Sequence, residues 1–106
     1  MTPNATEWAR TFRPDVQRRL GRALAHYYVE RCTKAESCRT AHVSDQTFQH
    51  ITYAERWRRH RGLRHAFAKA LLELGYLPRA VQALAACSSR TVQKLQHELA
   101  DEAWTS

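Results

Sequence analysis

Residues 78–99 read PRAVQALAACSSRTVQKLQHEL. The stretch predicts two short helices joined by a tight turn. Pro78 suits the first helical position, where its missing N–H would lack a partner anyway. Val81, Leu84 and Ala85 recur at i, i+3 and i+4 and predict one apolar stripe. Cys87 falls in the turn, and Ser88 is a natural N-cap, because its hydroxyl can accept a backbone N–H from the next turn. The second helix is expected to bury Val92, Leu95 and Leu99. Its other face carries Ser89, Arg90, Gln93, Lys94 and His97, all able to hydrogen-bond and none acidic. Such a helix packs one side on a scaffold and offers the other to base edges and phosphates.

The stretch resembles the helix-turn-helix of bacterial transcription regulators, families that often read V-A-x-L-A-G-V-S-x-R-T-V-x-K-L. Val81, Leu84, Ala85, Cys87, Ser88, Arg90, Thr91, Val92, Lys94 and Leu95 carry the match. Gln82 departs from it where a small residue usually packs the helices together. Ala86 departs where Gly usually opens the turn, and an Ala held at positive φ there would carry strain.

The chain has 106 residues, room for one small domain or two very small helical units. Hydrophobic residues make up 43%, enough for a modest core. Gly and Pro are few and strand-like alternation is absent, so the expected class is all-α. The formal net charge of +7 favours a polyanionic partner, most simply nucleic acid, and with the helix-turn-helix reading the expected partner is double-stranded DNA. No apolar run is long enough to span a bilayer, and Met1–Arg10 lacks the apolar segment of a signal peptide. An odd count of three cysteines without paired spacing argues for reduced thiols and a cytoplasmic location.

Residues 1–14 read as an arm and a short helix, with Thr6 as cap, Glu7–Thr11 helical, and Trp8 and Phe12 as anchors. From Asp15 to Arg31, Val16, Leu20, Ala23, Leu24, Tyr27 and Tyr28 keep helical spacing. Cys32–Ser37 is expected to turn, Ser37–His42 to form a short helix, and Val43-Ser44 to open another that runs to about Arg59. Gly62 is expected to interrupt. Leu63–Leu74 forms a further helix with Gly75 at its C-terminal end. Residues 101–106 read as an acidic, frayed tail.

An internal repeat sharpens this outline. LGRALAHYYVERC (20–32) matches LRHAFAKALLELG (63–75) at Leu, Ala, Ala and Glu, with an offset of 43. VSDQTFQHI (43–51) matches CSSRTVQKL (87–95) at Ser, Thr and Gln, with an offset of 44. The chain therefore reads as two tandem helix-turn-helix-like three-helix units, residues 15–61 and 62–100. The first unit presents Gln46, Gln49 and His50 beside Asp45. The glutamines suit adenine edges, whereas Asp45 repels phosphate. That unit either reads DNA or serves as a scaffold or dimer surface.

Between the units, Arg56, Arg58, Arg59, Arg61 and Arg64 form the densest charge of the chain. They are expected to clamp phosphates, with Trp57 either anchoring the helix or packing on a sugar. Cys32, Cys38 and His42, with His26, could in principle ligate zinc, but the spacing fits no common finger, so no metal site is assigned. No Gly-rich phosphate loop occurs. No nucleophile has a placed base; Cys87 lies beside two serines with none. The chain does not read as an enzyme and implies no cofactor.

Residues 67–99 also resemble the N-terminal part of the C subunit of the flagellar master transcriptional regulator, through Leu74, Gly75, Cys87, Ser88, Leu95, Glu98 and Leu99. The resemblance covers about a third of the chain, and the family's cysteine-rich zinc region has no counterpart. It implies promoter binding by the Ser89–His97 face. The expectation is thus a small basic DNA-binding transcriptional regulator, with a homodimer or a partner regulator as further candidates. The alternatives are a helical module that binds a regulator or RNA polymerase, and an RNA-binding protein.

Overall fold

Pro14 fixes the backbone for the first turn of α1 (Pro14–Tyr28), and Asp15 sits where the helix dipole favours an acid. The computed structural model describes residues 12–105; the expected Thr6 cap, the Glu7–Thr11 helix and the Trp8 anchor lie outside them. Leu20, Ala23 and Leu24 are fully buried, as their spacing predicts. The helix stops short of Arg31, because the Glu30 N–H turns back to the Ala25 carbonyl and the Cys32 N–H to that of His26. Arg31 then takes φ 59°, the left-handed region that Gly75 occupies after α4.

α2 (Lys34–Ala41) begins three residues before the expected Ser37. Thr33 is its cap, its hydroxyl accepting the Glu36 N–H at 3.1 Å. α3 (Asp45–Thr52) is capped by Ser44 but does not run to Arg59. The Thr52 hydroxyl donates back to the Phe48 carbonyl, and Ala54 and Glu55 both adopt positive φ. This kink lies inside a 3-10 segment, Tyr53–Arg59. The break delivers Trp57 into the core, where its ring meets Tyr28 and Phe67 and its indole N–H donates to the Tyr28 hydroxyl.

α4 (Arg61–Glu73) contains Gly62 instead of being interrupted by it. The reason is its neighbour: Gln17 of α1 lies where a Cβ of Gly62 would stand. One turn on, Gly21 abuts the backbone of Ala66, and a further turn on Ala25 and Ala70 line one pocket. α1 and α4 therefore run side by side in the same direction along a seam of small residues. α5 (Pro78–Ala85) and α6 (Ser89–Thr105) complete the chain. Val81 and Ala85 are buried, but Leu84 stays partly exposed, so the stripe of α5 is narrower than its spacing suggested. Asp101 and Glu102 of the expected tail lie inside α6. Glu102 reaches Lys69 of α4 and Arg18 of α1.

The protein is all-α, and no strand occurs among the described residues. Among the described residues, no helix is long and apolar enough to cross a membrane. Ser37 and Ala41 are buried like Val81 and Ala85, and Phe48 and Ile51 like Val92 and Leu95. The support helices differ, however. Tyr27 meets Phe48, whereas Ala70, 43 residues further along, faces α1.

Candidate nucleic-acid interface

The α5–α6 turn is built as its composition predicts. Ala86 takes φ 55°, ψ 45°, the left-handed geometry expected to strain a side chain. The Arg64 guanidinium donates to its carbonyl at 3.3 Å. The Cys87 thiol points at the Arg64 and Ala85 carbonyls, and burial pushes its pKa up. Ser88 then caps α6: its hydroxyl accepts the Thr91 N–H at 3.2 Å and lies 3.0 Å from the Thr91 hydroxyl. The α2–α3 turn repeats the device. His42 takes φ 59°, and the Ser44 hydroxyl accepts the Thr47 N–H at 3.1 Å.

On α6, Val92 and Leu95 are buried, while Ser89, Arg90, Gln93, Lys94 and His97 are all exposed. Helical spacing sorts the charges of this helix. Arg90, Lys94 and His97 share the outer face. Glu98 and Glu102 turn inward, both to Lys69, at 3.0 and 3.1 Å, and Glu102 also to Arg18. These pairs keep acid away from the first three turns of the outer face and hold the helix on its scaffold. They also raise the Lys69 pKa despite its burial, and the Lys69 hydrogen bond leads in lowering that of Glu102. Farther along, the outer face carries Asp101 and an 89% exposed Trp104.

The basic stretch around the start of α4 is divided by the fold. Arg64 belongs to the turn, through its contact with Ala86. Trp57 is buried, so it is an anchor and no platform for a sugar. Arg58 pairs with Glu55 and lies over the Trp57 ring. Arg56 stacks 5.1 Å from the Tyr53 ring centroid and comes within 3.1 Å of the His50 imidazole. Arg59 and Arg61 are exposed and form no ion pair with any described residue. Arg61 stands on the α6 side. Burial lowers the pKa of His65 first, and the cations of Arg61, Arg64 and Lys94 lower it further.

Gln46, Gln49 and His50 are exposed on α3. They do not join the α6 residues. On α4, His65 and Lys69 line the groove under Leu95 and Glu98 of α6. Phe67, two positions from each, meets Trp57. Two positions on an α-helix are about 200° apart, so these contacts lie on opposite sides of α4. On α1, Arg18 lines the same groove as α6, and Tyr27, two and a half turns on, meets Phe48 of α3. The twelve expected contact residues thus form two surfaces. Ser89, Arg90, Gln93, Lys94, His97 and Arg61 lie with α6. Gln46, Gln49, His50, Arg56, Arg58 and Arg59 lie with α3 and the 3-10 segment. Tyr53, 65% exposed under Arg56, joins the second surface. Its only sequence signal is its offset of 44 from His97.

Cys38 is buried, and burial with the neighbouring Asp45 carboxylate pushes its thiol up to about 11. No group of three or more His, Cys, Asp or Glu side chains suited to a metal occurs among the described residues. Comparison of the chain with protein-family models, curated proteins and solved structures finds no match in any of the three.

Proposed function

We propose that the protein is a cytoplasmic DNA-binding transcriptional regulator that reads duplex DNA with α6. One observation carries the reading: over its first three turns the outer face of α6 holds Arg90, Gln93, Lys94 and His97 free of acid, while Glu98 and Glu102 of the same helix are tied inward to Lys69 and Arg18. An N-terminal recognition turn with exposed donors is what direct readout in a major groove needs. The net charge of +7 supplies the attraction for phosphates. The shared caps and left-handed turns support a helix-turn-helix origin for both α2–α3 and α5–α6, and with it a tandem duplication. Titration of a promoter-fragment library, followed by sequencing of the bound fraction, tests the reading. Enrichment of one motif supports it, and uniform recovery of all fragments overturns it.

A second reading has its own support. Leu74, Tyr76, Leu77 and Leu84 expose apolar surface around the α4–α5 turn. A protein partner would cover it, whether a regulator, RNA polymerase or a second copy. Duplex binding that is insensitive to salt or absent would favour that reading.

A further inference from the structure

The division of the basic residues between two sides of the α1–α4 pair has a consequence for stoichiometry. The α6 side carries Arg90, Lys94 and Arg61. The opposite side carries His50, Tyr53, Arg56 and Arg59 around the kink at Ala54 and Glu55. Of the acids there, Glu55 pairs with Arg58, and Asp45, beside the neutral Cys38 thiol, is outnumbered by Arg56 and Arg59. Both sides therefore present net positive charge together with hydrogen-bonding or stacking groups.

One duplex cannot serve both. Gly21 against the Ala66 backbone closes the seam, so the two sides cannot hinge towards each other. The whole molecule measures only 41 × 28 × 27 Å. DNA has a persistence length of about 50 nm and does not fold around so small an object without large cost. We infer that one chain holds two duplex segments at once, one on α6 and one on the α3 and 3-10 surface, and so bridges DNA. This rests on the reading of α6 as a DNA-binding helix. The α6 side supplies base contacts. The other side supplies chiefly phosphate contacts, from Arg56 and Arg59, with Tyr53 and His50 beside them.

The test uses the full chain, a surface-tethered duplex and a fluorescent duplex in solution, with sedimentation to count duplexes per chain. The wild type should sediment with two duplexes per chain and capture the fluorescent duplex. R90A/K94A and R56A/R59A should each fall to one duplex per chain and lose capture at least tenfold. Mixing the two variants should not restore it. All four side chains are on the surface or half-buried, and unchanged melting temperatures would show that the fold persists. A wild type that holds one duplex, lost only with Arg90 and Lys94, overturns the inference and leaves the α6 reading intact. Capture restored by mixing overturns it too, since paired chains would then bridge. So does a second surface that takes single-stranded RNA but no duplex. A wild type that binds no duplex overturns both.

Discussion

Gly21 and Ala66 touch across the α1–α4 seam so closely that a Cβ on Gly21 would stand 2.3 Å from the Ala66 carbonyl carbon. Backbone on both sides leaves nothing flexible to yield. Gly21→Ala should therefore destabilise despite the better helix propensity of Ala. Overpacking of about 3 kcal/mol against a propensity gain of about 1 kcal/mol leaves a loss of about 2 kcal/mol. Thermal melting by circular dichroism should show a drop of about 10 °C. Gly62→Ala is the control. Its Cβ would meet the end of the Gln17 side chain, which can swing aside. It should melt within a few degrees of the wild type. Equal effects of the two variants would show that the seam is not where the helices are held.

Ala86 at φ 55° is a second place where one methyl group decides stability. Left-handed backbone costs an L-residue about 1–2 kcal/mol, and Gly gives back about 0.5–1 kcal/mol in unfolded-state entropy. Ala86→Gly should therefore stabilise by about 0.5–1 kcal/mol, with a rise in melting temperature of several degrees. Ala54→Gly, at φ 50° in the kink inside the 3-10 segment, should act in the same direction. A fall in melting temperature for both would mean that the turns are held in another geometry.

The α5–α6 and α2–α3 turns show what can be read from composition. Ser88 and Thr91, like Ser44 and Thr47, announce a cap because the interaction is local and spans three residues. Periodicity likewise identified Leu20, Leu24, Val92 and Leu95 as core. The kink at Ala54 and Glu55 had no such signal, since neither Gly nor Pro marks it; it exists because Trp57 has a distant socket between Tyr28 and Phe67. Gly62 looked like a breaker because its role depends on Gln17 of another helix. The separation of Arg59 from Arg90 depends on which side of α4 each segment crosses. No local pattern records that.

Two imidazoles give stability a pH dependence near neutrality. His60 is buried and its pKa is lowered by that burial. His65 is lowered by burial and by Arg61, Arg64 and Lys94, with Glu98 opposing. The unfolded chain takes up these protons near pH 6.5, before the folded chain does. Stability should thus be fully present above about pH 6.5 and fall as pH drops through that value towards the folded pKa. Melting temperatures between pH 7.5 and 5.5, about one unit either side of the ordinary imidazole pKa, should decline. His65→Gln should flatten the decline. A profile that rises on acidification would contradict the environment described for both rings.

The sharpest expectation for α6 separates specificity from affinity. Arg90 and Lys94 lie one turn apart on its exposed face, and Arg90 is the second residue of the helix. A guanidinium there can pair with both acceptors of a guanine, a contact worth about 1–3 kcal/mol of discrimination. Arg61, near Lys94 but on the scaffold, can meet only phosphate. Arg90→Ala should therefore lose about one to two decades of preference for the enriched motif while keeping most of its affinity for random duplex. Arg61→Ala should weaken both duplexes alike and reduce the salt slope by roughly one unit. Competition binding at several salt concentrations measures both quantities. Equal losses on motif and random duplex for Arg90→Ala would remove α6 as the reading helix and leave Gln46, Gln49 and His50 of α3 as the remaining base-reading set.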